Sequence, residues 1–127
     1  MAVHELKTWP DPFNALLEGV KTYEVRRSDR AYAVGDELQL REWSPEPFVN
    51  RYGSSCEPGY TGRLARFTVT FLTPGGKWGL PTDLCVMAVR PLFVCEQCGG
   101  VSISYTLDGA DSTRMKACAR ASGRRLR

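Results

Sequence analysis

The first positions of the chain mix apolar Val3 and Leu6 with His4, Glu5 and Lys7, a pattern that predicts a short strand. A helix signal follows. Asp11 can cap the first amide groups, Pro12 suits the first helical position and Gly19 suits the residue just past the end. Phe13, Leu16 and Leu17 form one apolar stripe at helical spacing. A helix of two turns does not survive alone, so it is expected to dock on a sheet.

After the helix the period changes to two. In "KTYEVRR", Tyr23 and Val25 share one face and Thr22, Glu24 and Arg26 the other; the apolar pair is expected to anchor the strand in the core. "VGDELQLREW" supplies a Gly-Asp turn and a second strand with Leu38 and Leu40 inward. The Pro-, Gly- and Ser-rich run from Ser44 to Gly62 predicts a long loop. "RLARFTVTFLTP" alternates Phe67, Val69 and Phe71 as a strand. "GGKWGLP" reads as a turn and "DLCVMAVRP" as an apolar strand ended by Pro91, with any sixth strand near Leu92 to Val94. The sum is a mainly β (α+β) domain. Its one or two short helices would accompany a small, strongly bent sheet closing toward a barrel. Residues 1–92 would form it, and residues 93–127 an appendage with a basic tail open to disorder.

Composition narrows the setting. A length of 127 residues suits one domain, and 43% hydrophobic with 24% charged residues is ordinary for a globular chain. No apolar run has the length of a membrane span, and Glu5 and Lys7 interrupt the start before a signal peptide could build. Five cysteines without a repeated framework fit a reducing cytoplasm. The expected location is therefore cytoplasmic, with no membrane partner. The net charge of +3 is uneven: the run from Arg114 to Arg127 holds six basic residues and no acidic one. The rest of the chain carries eleven basic against fourteen acidic groups. Such a tail either adds salt-sensitive attraction to nucleic acid or solubilises a chain end. The body has to bind through local geometry.

The densest chemistry lies in "GVKTYEVR", Gly19 to Arg26. Glu24 and Arg26 are an i, i+2 pair, roughly 7 Å apart on one strand face. Arg26 offers a planar fork for phosphate or a base edge, and Glu24 an acceptor for an amino group. On pattern alone an ordinary exposed ion-pair face is the preferred reading of these residues. The stretch, however, matches the G-x-K-x-x-E-x-R signature of ASCH domains, relatives of the PUA RNA-binding fold. His4 to Trp43 resembles an uncharacterised ASCH subfamily that begins with His-Glu-Leu-Lys. The similarity continues through the Arg-x-x-Asp-Arg-x-x-x-Val-Gly-Asp run, here Arg26 to Asp36, and "YTGR", here Tyr60 to Arg63. It covers about the first ninety residues.

The resemblance implies a PUA-like β-barrel with a cleft along the signature strand, which binds RNA or a modified nucleotide through Lys21, Glu24 and Arg26. His4 and Lys7 on the first strand are further candidates for that cleft, and Trp9 or Trp43 for base stacking, with Arg41 sharing a strand face with Trp43. Some relatives are hydrolases that remove an acyl group from a modified cytidine, pairing the signature lysine with a threonine three residues on. Here that position is Glu24. A carboxylate favours the ammonium over the free amine a nucleophile needs, so Lys21 is expected to bind rather than attack. A hydrolase or nuclease using the same cleft, with Lys21 as its catalytic group, is one rival; a protein-interaction module is another. Outside the resemblance, Cys95-x-x-Cys98 followed by glycine looks like a zinc knuckle. It has only Cys118 after it, so a structural zinc would need Cys56 or Cys85 through the fold.

Overall fold

A computed structural model of the chain describes residues 1–50 and 52–92, and the backbone of two strands at 104–107 and 110–115. Strand β1 spans Val3–Thr8, with His4, Leu6 and Thr8 buried and Val3, Glu5 and Lys7 exposed. It leads directly into helix α1, Pro10–Leu17. Pro10 occupies the start of the helix, one residue after Trp9, which makes no side-chain cap. The predicted start at Asp11 and Pro12 is therefore late: Pro10 has no amide to satisfy, and Asp11 lies in the first turn, where its charge suits the helix dipole. The other end fits expectation. Gly19 adopts φ 80°, and the amides of Gly19 and Val20 return to the carbonyls of Leu16 and Ala15, a Schellman ending that needs a left-handed residue there.

Strand β2 is Tyr23–Arg27, β3 Glu37–Ser44, β6 Gly59–Thr73 and β7 Leu84–Pro91. The predicted long loop holds a small hairpin, β4 (Phe48–Val49) with β5 (Ser55–Cys56). The main sheet runs β1-β3-β6-β7-β2, with β1 parallel to β3 and the other pairs antiparallel. The protein is mainly β, with a curled half-barrel sheet and, among the described residues, one helix. Strand β7 ends at Pro91 and Leu92 lies beyond it; residues 93 and 94 are outside the described residues. Strands β8 (Ser104–Leu107) and β9 (Ala110–Met115) pair with each other, and β8 pairs with β6 at Arg63 and Leu64. Part of the expected appendage thus joins the main sheet.

The core fills the hollow of the curl: Leu38, Leu40, Phe67, Val69 and Met87 from the sheet, closed by Phe13 and Leu16 of α1. Leu38 and Leu40 are inward as their spacing predicts. Phe71 is not; a register shift between Val69 and Phe71 turns it outward, 65% exposed, because a bulge resets the alternation. The larger departure is in β2. Tyr23 and Val25 are both exposed, whereas Glu24 is buried at 3%. The polar face of β2, not the apolar one, turns inward.

Candidate functional site

That inversion builds the site. The Schellman ending of α1 delivers Lys21 to the mouth of β2, where its ammonium donates to Glu24 Oε1 at 2.7 Å and to the Tyr23 carbonyl at 2.7 Å. Arg26 donates from Nε and Nη2 to Glu24 Oε2, at 2.9 and 2.8 Å. One buried carboxylate is thus shared by two cations, which is how a charge in this position avoids the cost of burial alone. Both oxygens accept from protein donors, so Glu24 orients Lys21 and Arg26.

Arg26 also joins the two ends of the sheet. β1 and β2 are its outermost strands on the main path, and Arg26 reaches across to the Lys7 carbonyl at 2.9 Å and Thr8 Oγ1 at 3.0 Å. A side chain supplies the closure that backbone pairing supplies in a full barrel. Above this bridge opens a cleft of about 470 Å³, bounded by Thr8, Trp9 and Pro12 on one side and Tyr23 and Val25 on the other. Lys7, Lys21 and Arg26 line it against one carboxylate, Glu24. Donors remain unspent. After the bonds above, Lys21 and Arg26 each keep one N–H, and the Lys7 ammonium has no hydrogen-bond partner among the described residues. Two exposed aromatic rings stand beside these donors, Trp9 at 56% and Tyr23 at 46%.

The remaining sequence candidates sit elsewhere. His4 does not line this cleft. Its ring is buried, with Nε2 2.8 Å from Asp36 Oδ2 and its face 4.7 Å from Tyr32. Asp36 also accepts the amides of Ala2 and Ala33, and these bonds, the Ala2 amide first and His4 next, hold its carboxyl below the usual range against the opposing effect of burial. The His4–Asp36 pair locks β1 to the turn before β3. Trp43 is half-buried beneath Lys7, whose Nζ lies 4.4 Å from its ring. Arg41 packs on Tyr60 at 4.0 Å and meets Glu5 at 3.3 Å. Trp43 and Arg41 therefore form the outer face beside Lys7, not the cleft wall. Cys95, Cys98 and Cys118 lie outside the described residues. Among the described residues no group of three or more His, Cys, Asp or Glu side chains could hold a metal. No helix among them is long and apolar enough to cross a membrane.

Another buried carboxylate, Glu42, escaped the sequence reading. Glu42 accepts Arg63 Nε and Nη2, each at 2.8 Å, and the Thr61 hydroxyl at 2.7 Å. Arg63 then reaches Asn14 Oδ1 at 2.8 Å and stacks 4.8 Å from Phe13. This pair fastens α1 to β6, fixing the helix that forms one wall of the cleft. Burial pushes the Glu42 carboxyl up, but the Arg63 and Thr61 hydrogen bonds outweigh it and the net shift is downward. The signal available beforehand was "YTGR" itself, whose arginine had no assigned partner.

Comparison with known proteins adds kinship without an activity. An uncharacterised 12.9 kDa protein of Escherichia phage P2, from the 3′ region of GpA, is 43% identical over 49 residues. The match covers 39% of this chain and 45% of the phage protein, so the chain spans less than half the length of that relative. A family described as a domain of unknown function, DUF3850, matches residues 3–89, which take in β1, α1, the Lys21–Glu24–Arg26 cluster and the strands through most of β7. The chain belongs to the DUF3850 family.

Proposed function

We propose that the protein binds RNA or a nucleotide-derived ligand in the cleft between α1 and β2, as a PUA-like relative of ASCH domains. The observation that carries this reading is the charge inversion in the cleft. The chain before the basic tail has more acidic than basic groups, yet the cleft gathers three cations around one carboxylate that is itself occupied in holding two of them. Fixed guanidinium and ammonium donors suit phosphate oxygens, and exposed rings at the rim suit the face of a base. Lys7 and Lys21 would take phosphate, Arg26 would hold the geometry and offer its last N–H, and Trp9 or Tyr23 would stack.

Binding is favoured over acyl transfer because Lys21 is committed to Glu24 and the Tyr23 carbonyl rather than poised as a free amine beside a base. A cytoplasmic setting goes with this reading, and the thiols of Cys56 and Cys85 are free. The test is fluorescence anisotropy with a labelled single-stranded RNA of about eight nucleotides. The variant carrying Lys7→Glu and Lys21→Ala is expected to lose tenfold or more in affinity, a loss on the order of 1.4 kcal/mol or more. Equal affinity in the variant and the parent would remove the reading.

A further inference from the structure

The Arg26 bridge has two sides. Beyond it lies a second recess of about 240 Å³, which shares Lys7 and Arg26 with the cleft and adds Arg27, Arg30 and Tyr32. Its acidic members are Glu5 and Asp29, so four cations face two carboxylates. The local ion pairs are loose: Arg27 stands 3.7 Å from Asp83 and Arg30 3.7 Å from Asp29, all well exposed. These arginines therefore remain available to another anion at small cost. The two recesses lie on either side of Lys7 and Arg26, which line both.

Resting on the nucleotide reading above, we infer that the ligand is a single-stranded RNA segment rather than a mononucleotide. Its chain runs from the cleft at Lys21, over the Lys7–Arg26 bridge, into the recess at Arg27 and Arg30. A mononucleotide presents its charge at one end and leaves the second recess empty. A polymer presents a phosphate at every step, which is what cations on both sides of a bridge are arranged to meet. Arg26 sits at the midpoint, held by Glu24 on one side and by Lys7 and Thr8 of β1 on the other. It is a fixed saddle over which a flexible strand can pass.

The experiment compares AMP with oligoadenylate RNA of about eight nucleotides, measured against the parent protein and two double variants. The first, Arg27→Glu with Arg30→Glu, reverses two exposed cations of the second recess and gives up, besides their loose ion pairs, the Arg30 contact 5.9 Å over the Tyr32 ring. The second, Lys77→Glu with Arg90→Glu, makes the same charge change outside both recesses. The parent is expected to bind the oligomer at least about tenfold more tightly than AMP. The first variant should lose most of that advantage while keeping its AMP affinity within about twofold, and the second should keep the advantage. Oligomer binding no tighter than AMP, or an equal loss in both variants, overturns the track. If AMP binds the parent while the oligomer gains nothing, the track fails and the nucleotide reading stands. If neither probe binds the parent, both fail.

Discussion

Glu24 is the residue on which the site depends. It sits between two cations whose side chains keep 20% and 21% of their surface in water, and its loss leaves both without their shared partner. Glu24→Ala is expected to destabilise the fold by about 2–4 kcal/mol in chemical denaturation, less than for a wholly buried pair because the cations can turn to solvent. Glu24→Gln should cost about half as much, since it retains an acceptor. A change below about 0.5 kcal/mol for the alanine variant would mean that the pair contributes no more than a surface ion pair. The spacing of Lys21, Glu24 and Arg26 was legible in the sequence; the division of labour was not. An acceptor two residues from an arginine looks the same on a chain whether it serves a ligand or the arginine.

At the scale of elements, the question is what closes the sheet. Backbone pairing leaves β1 and β2 as its outer strands, and Arg26 crosses between them. Arg26→Lys keeps the charge but loses the planar fork that reaches Glu24, Lys7 and Thr8 together. Amide hydrogen exchange should accelerate tenfold or more in β1 and β2, while β3, β6 and the centre of β7 keep their protection. Uniform acceleration would show that the bridge adds only to global stability. This scale also explains the inverted reading of β2. Period-two alternation separates two faces but does not say which faces inward. Tyr23 and Val25 gave the apolar answer, yet the strand meets β1 through Arg26 and buries Glu24, whose mutual neutralisation with Arg26 makes burial tolerable. Phe71 escaped for another reason, a bulge that no alternation reveals. The inward positions of Leu38, Leu40, Phe67 and Val69 followed directly from spacing, since nothing interrupts those runs.

At the scale of the whole molecule, three carboxyls among the described residues are held below their usual range. Asp36 is held by the Ala2 amide and then His4, Glu37 by Arg66, and Glu42 by Arg63 and Thr61 against the opposing effect of burial. Unfolded, these groups titrate near pH 4. Below that value the unfolded chain binds protons that the folded chain resists, so stability rises with pH through this window. The melting temperature is expected to be highest above about pH 5.5 and to fall steadily toward about pH 3. A melting temperature unchanged across that window would contradict the assigned ion pairs.

Ligand binding has its own signature at this scale. If Lys7, Lys21 and Arg26 together neutralise about three phosphate charges, log affinity should fall against log salt with a slope near −2. Engagement of the Arg27 and Arg30 recess steepens that slope. The most direct test of the cleft assignment is an NMR titration of the isotope-labelled protein with unlabelled single-stranded RNA of about eight nucleotides. The largest shift changes are expected at the Trp9 indole and the amides of Thr8, Lys21 and Tyr23, the groups that surround the cleft. Shifts confined to the outward face around Phe71 and Val86, or no shifts at all at saturating RNA, would contradict it.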